Sequence, residues 1–170
     1  MMELDEIMKI VNSTLDLLYK NEKYLFENDV SERNLVFHFS RYFCLLLEKN
    51  NKYKEYSVDC EYNRNSFNER KYKELIYEKK KHKINPDFIL HERGSNNNNI
   101  LAIEFKKNSN NNNSQINRDY WKLKGLTNEL GVYKYKLGLF IRFGIRRDKV
   151  IIKAFINGKE KIRKMGEKQL

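Results

Sequence analysis

The chain is poor in residues that punctuate or cross-link a fold. Its 170 residues include one proline, seven glycines and two cysteines. A single proline excludes the Pro-rich and collagen-like classes. Cys44 and Cys60 form no CxxC pair and sit in no Cys/His cluster, which excludes a disulfide scaffold and a zinc site of ordinary spacing. Reduced, buried thiols are expected, as in a cytoplasm. No apolar run approaches the roughly 20 residues of a membrane-spanning helix, so no membrane partner is expected. The opening MMELDEIMKI carries acids where a secretory signal carries bases, so a cytoplasmic location is expected. Neither GxxxxGK[ST] nor GxGxxG occurs, which leaves nucleotide hydrolysis without support. His38, His82 and His91 are scattered, and no Ser/His/Asp set or activated cysteine is suggested by spacing.

What the chain has in abundance is charge. Lys and Arg number 34 against 23 Asp and Glu, a net +11 that points to a polyanionic partner. An AT-rich coding bias would enrich Lys, Asn, Ile and Tyr together. It would raise Glu as well, so it does not account for the excess of bases. A mean hydropathy of −0.82 with 40% hydrophobic residues fits one globular domain with a very polar surface.

Periodicity orders the elements. Leu4, Ile7, Met8, Val11, Leu15 and Leu18 predict a helix over 3–27. A second helix is predicted over 31–49, with Ser31 as N-cap and Asn34 where a capping box would prefer Glu. Residues 56–62 alternate as a strand, with Asp59 and Glu61 on one face. These two acids are read as exposed in preference to a second metal site. The charged stretch 63–83, with Phe67, Tyr72, Leu75 and Ile76, predicts a short helix or a flexible loop. Strands are predicted at 86–90 and 100–106, joined as an antiparallel hairpin through Gly94 and Asn96–Asn99. After a polar loop at 108–114, Ile116, Tyr120, Leu123, Leu126 and Leu130 predict a helix over 114–130. Strands follow at 135–143 and 150–156 around a basic turn, and the tail from Gly158 reads as a frayed helix. The order is that of a mixed α/β domain: an N-terminal helical extension (1–30), a core (31–157) and a basic tail (158–170).

The central hairpin carries the chemistry. Alternation puts Ile103 and Phe105 toward a core and sets Glu104 and Lys106 together on the other face. Asp87 opens the neighbouring strand. Two carboxylates meeting there would suit a hard divalent cation, Mg2+ or Mn2+, with the Phe105 backbone carbonyl as a further oxygen. Lys106 would orient the attacking water or help to deprotonate it. The rival reading makes Glu104 and Lys106 a solvated strand face paired across to Asp87.

Pro86-Asp87, a 16-residue gap and Glu104-Phe105-Lys106 resemble the PD-(D/E)xK nuclease superfamily. The resemblance covers residues 31–143 and extends to the order helix, strand, motif hairpin, helix, strand. It implies a restriction-endonuclease-like mixed β-sheet flanked by helices, and metal-dependent hydrolysis of DNA leaving a 5′-phosphate. It assigns metal binding to Asp87, Glu104 and the Phe105 carbonyl, water positioning to Lys106, and an acidic helix residue to Glu32. Gln115, Asp119 and Lys122 match the polar positions of the following helix loosely. Lys80, Lys81, Lys83, Lys107, Gln115, Lys122, Arg142 and Arg146 are the candidates for holding the nucleic-acid backbone. DNA is the expected partner, with RNA kept open. Since related folds often pair to cut two strands, a homodimer is one expected assembly, with the helix at 3–27 as its contact. The alternative function is a non-catalytic nucleic-acid-binding protein on the same fold.

Overall fold

The computed structural model describes residues 2–65 and 72–161. Helix α1 (Met2–Asn21) opens with Glu3 and Asp5 and closes with Lys20, the charge order that the helix dipole favours. Its stripe of Ile7, Val11, Leu15 and Leu18 is fully buried, so this helix is part of the main core rather than an appendage. The helix expected over 3–27 is interrupted at Glu22 and resumes as the short α2 (Lys23–Glu27). At the break, Glu22 accepts hydrogen bonds from Arg41 Nη2 (2.9 Å) and Tyr42 OH (2.8 Å).

Helix α3 (Glu32–Leu47) begins as expected, with the Ser31 hydroxyl accepting from the Asn34 N–H at 3.3 Å. It lays Leu35, Phe39 and Phe43 on the core. Strands β1 (Ser57–Cys60), β4 (Phe88–His91), β5 (Asn99–Lys106), β6 (Leu137–Arg142), β7 (Ile151–Ile156) and β8 (Lys159–Lys161) form one sheet in the order β1-β4-β5-β6-β7-β8. The β4–β5 hairpin is antiparallel, as expected. Only β5 and β6 run parallel, so the chain must cross over between them, and helix α4 (Asn113–Thr127) makes that crossing.

Helices cover both faces of the sheet centre. Phe88, Leu90, Leu101, Ile103 and Phe105 join α1 and α3 in one apolar cluster. Ile89, Ala102, Phe140 and Phe155 meet Leu123 and Leu126 of α4 in a second. Every residue of β5 is consequently buried. Gly138 of β6 permits the close seat of α4, since a Cβ there would lie 2.9 Å from Thr127 Cγ2.

Two expectations are corrected. The described part of 63–83 is neither a helix nor loop throughout. It holds an antiparallel hairpin, β2 (Glu74–Tyr77) and β3 (Lys80–Lys83), outside the main sheet. Glu78 and Lys79 make its tight turn, both with positive φ (48° and 63°). Phe67 lies outside the described residues. After Asn157 and Gly158 the tail forms β8 rather than a frayed helix, because that pair adopts positive φ (52° and 72°) and turns the chain back onto β7. Residues beyond 161 lie outside the described ones. Among the described residues no helix is long and apolar enough to cross a membrane.

Candidate active site

The register that pairs Phe88 with Ile103 and Ile89 with Ala102 places Asp87 opposite Glu104 when extended by one residue. Side chains directly opposite share a face, so both carboxylates stand on the α4 side. Asp87 Oδ2 accepts a hydrogen bond from the Phe105 N–H at 2.8 Å. In a strand, the N–H and C=O of one residue point to the same side, so the Phe105 carbonyl is directed to the Asp87 edge as well.

Helix α4 closes the site from above. Asp119 and Lys122, three residues apart and thus on one helix face, both reach the sheet. Lys106 Nζ lies 2.8 Å from Asp119 Oδ2 and 3.7 Å from Glu32 Oε1. Lys122 Nζ lies 3.0 Å from Asp119 Oδ1 and is paired with Glu104 Oε2. The result is a line of alternating charges, Glu32, Lys106, Asp119, Lys122, Glu104, half-buried at the Glu32 end and fully buried at Glu104. The other oxygen of Glu104, Oε1, is buried without a hydrogen-bond partner.

The reading of Glu104 as part of a solvated strand face is overturned, since the residue is 0% exposed. Burial of a carboxylate is tolerated only with compensation. Burial, aided by the neighbouring charges of Asp87 and Asp119, pushes the Glu104 carboxyl well above the usual range despite Lys122. Burial likewise raises Asp87 to about 6, although the Phe105 N–H and the two lysines pull the other way. For Lys106, burial disfavours the ammonium, but the Asp119 hydrogen bond and the surrounding acids reverse this and hold its pKa above the ordinary value. Lys122 is raised for the same reason, its burial outweighed by Glu104 and Asp119. Both lysines are cations here.

The residues suit a hard divalent cation. Oxygen donors come from Asp87, the orphaned Glu104 Oε1 and the Phe105 carbonyl. Four carboxyl groups (Glu32, Asp87, Glu104, Asp119) face two ammonium groups, so two negative charges stay uncompensated when all are ionised. Among the described residues no group of three or more His, Cys, Asp or Glu side chains is placed to hold a metal ion by side chains alone. Backbone oxygen, water or a substrate phosphate would have to complete the shell. A cleft of about 660 Å3, lined by Glu32, Arg33, Phe37, Ser40, Cys60 and Asp87 among others, reaches Asp87 from the α3–β1 side.

The sequence-predicted residues separate into two groups. Asp87, Glu104 and Lys106 come together, and Glu32 joins them through Lys106 and by accepting the Lys107 N–H at 3.0 Å. Lys122, expected on a phosphate backbone, is instead built into this network. Of the other basic candidates, Lys107 pairs with Asp29 (2.7 Å) and Arg146 with Asp148 (2.9 Å), while Arg142 donates to the Asn108 carbonyl (3.0 Å) and to Asn111. Gln115 sits in the first turn of α4, its side-chain oxygen accepting from Asn110 Nδ2 at 3.0 Å. Lys80 and Lys81 are exposed on β3 with no acid against them among the described residues, and Lys83 lies over the Tyr72 ring at 4.0 Å.

Asp59 is not the exposed acid expected. It binds His91 Nε2 (2.9 Å) and Arg93 Nε (2.8 Å). Glu61 is exposed and pairs with Arg33 at 2.8 Å. Cys44 and Cys60 are both free thiols, but Cys60 is exposed rather than buried. Sequence reasoning gave Asp119 no firm role. The available signal was its place on the buried stripe with Leu123 and Leu126, where a charge needs a partner. Comparison with protein-family models, curated proteins and solved structures yields no match to this chain.

Proposed function

We propose that this chain is a metal-dependent endonuclease of restriction-endonuclease-like fold that hydrolyses phosphodiester bonds in DNA. The observation that carries the proposal is the position of Asp87, just before β4, opposite Glu104 of β5 by the register, with Glu104 Oε1 buried and unpartnered and Lys106 two residues further along the same strand. A buried acceptor left empty costs about 1–3 kcal/mol, which a bound ligand would offset.

Asp87, Glu104 and the Phe105 carbonyl would hold Mg2+ or Mn2+. When bound there, the ion would supply Lewis-acid stabilisation of phosphate charge and a more acidic water. Lys106 is held as an ammonium, so it serves as donor rather than base. Its Nζ orients the attacking water or a non-bridging phosphate oxygen, while Asp119 and Glu32 fix its position. The water oxygen forms the new bond to phosphorus as its proton passes to solvent, and the bond to the 3′ oxygen breaks as that oxygen takes a proton from solvent, leaving 5′-phosphate and 3′-hydroxyl ends. The excess of basic residues gathers the polyanion, which a bare acidic pocket would repel.

A second reading is favoured by one contact. Lys122 already seats an ammonium on Glu104, so the same fold could bind nucleic acid without cutting it. Purified protein incubated with circular and linear DNA under Mg2+, Mn2+ or EDTA separates the two. Cutting that needs the metal and disappears in Asp87→Ala and Lys106→Ala establishes the nuclease. Salt-sensitive binding with no cutting in any metal refutes it in favour of the second reading.

A further inference from the structure

On the far side of α4 from the carboxylates, the β2–β3 hairpin leans against the helix. Leu75 of β2 rests on Gly125, where a Cβ would meet its Cδ1 at 2.6 Å, so the hairpin is seated directly on the helix backbone. Beside this contact opens a cleft of about 940 Å3, whose walls include Tyr72, Ile76, Lys81, Trp121, Lys124 and Val132. Trp121 is half-buried and stands edge-on to Tyr77 (5.3 Å) and His82 (6.1 Å). Among the described residues one acid, Glu74, lines the cleft against the two lysines. Lys79, Lys80, Lys81 and Lys124 are all exposed with no acid partner among the described residues. This distinguishes them from Lys107, Lys122 and Arg146, which acids occupy.

We propose that this cleft binds a single-stranded segment of nucleic acid, with unpaired bases against Trp121 and its aromatic neighbours and phosphates along the hairpin and Lys124. The proposal rests on the reading of the chain as a nucleic-acid enzyme and names the form of substrate that it grips. Bases within a duplex present only their edges in the grooves, so aromatic rings lining a cleft are usable only where bases are unstacked. Two lysines on its wall, Lys81 and Lys124, with Lys79 and Lys80 further along the hairpin, supply the positive charge that tracks a flexible backbone. Trp121 immediately precedes Lys122, which touches Glu104, so the platform and the carboxylates lie on two sides of one helix. A strand held on one side would therefore be delivered to a region a helix diameter from the other.

Trp121 is the chain's only tryptophan, so its fluorescence reports on this cleft alone. The full chain is titrated in EDTA, where no cutting occurs, with oligothymidylate and with a duplex of equal length. Quenching by the single strand and little by the duplex is expected. Labelled-oligonucleotide anisotropy should show binding weakened about 10- to 100-fold by Trp121→Ala and largely restored by Trp121→Phe. The double variant Lys81→Glu, Lys124→Glu changes only exposed residues and should weaken binding and flatten its salt dependence. Equal quenching by duplex, no quenching at all, or wild-type affinity in Trp121→Ala would overturn the proposal. So would a fluorescence change on diluting DNA-free protein, accompanied by slower sedimentation, since a second copy would then be the occupant. A protein that quenches but never cuts sinks only the nuclease reading, and one that cuts without quenching sinks only this one.

Discussion

Lys122 of α4 and Glu104 of β5 form a buried ion pair that uses one carboxylate oxygen and leaves the other, Oε1, facing no hydrogen-bond partner. Under the proposed function the pair is held in tension between two uses of Glu104: neutralisation by the chain's own ammonium, and coordination of an external cation.

Replacing Lys122 by Met should expose that tension. The metal-free variant is expected to lose about 3–5 kcal/mol, because Glu104 and Asp119 lose a shared buried partner. Added Mn2+ should then raise its melting temperature by more than it raises that of the parent. Thermal melts with and without Mn2+ measure both effects, and an equal metal-induced rise in the two proteins would show that Lys122 does not compete with the ion.

Asp119 is expected to act through Lys106. Asp119→Asn should lower cleavage about 10- to 100-fold, the usual range for a group that orients a reacting residue. Since the Asp119 hydrogen bond is the main influence holding the Lys106 ammonium up against burial, its loss should move the alkaline limb of the pH–rate profile to lower pH. A general loss of folding would reduce the rate without moving that limb.

The metal-free protein should become less stable as pH rises from about 4 to 6. Asp87 titrates near 6 in the folded chain. Its unfolded value is near 3.9, so the folded state holds the extra proton in this window and stability falls as it is released. Glu104 acts in the same direction and extends the loss upward. Asp87→Asn should flatten the curve and stabilise the metal-free chain at pH 7 by about 1–2 kcal/mol while abolishing cleavage. Urea melts in EDTA across this pH range provide the check.

Gly138→Val tests the seat of α4. The new side chain would collide with Thr127 and Leu123, which lie 2.9 and 3.3 Å from the position of its Cβ. A loss of about 1–3 kcal/mol is expected from overpacking, with a lower melting temperature by calorimetry. An unchanged melting temperature would mean that the helix can lift from β6 without loss.

The central hairpin was legible because its information is local. PDFIL and ILAIEFK are apolar runs of strand length, and period-two alternation alone sorts Ile103 and Phe105 from Glu104 and Lys106. The first two helices were legible for the same reason, through their 3.6-residue stripes. The β2–β3 hairpin was not, because its lysines mask the alternation and its turn uses Glu78 and Lys79, which give no turn signal. Asn157-Gly158 does carry that signal, but the basic composition after it reads as a tail. Leu130, counted on the α4 stripe, is 92% exposed, since the helix ends at Thr127. The partners of Lys106 and Glu104 were out of reach for a different reason. Asp119 and Lys122 meet them only after α4 has crossed the sheet, and periodicity within one element does not specify what another element brings to it.

Strand β5 has a greasy side among phenylalanines and an ionic side beneath α4. Sliding it by a single position against β4 would drive Glu104 and Lys106 into the aromatic layer and present hydrocarbon to the acids of the helix. Misalignment of the charged groups is thus forbidden by the same immiscibility that assembles the protein: if the strand docks at all, it docks with Glu104 and Lys106 beneath the helix.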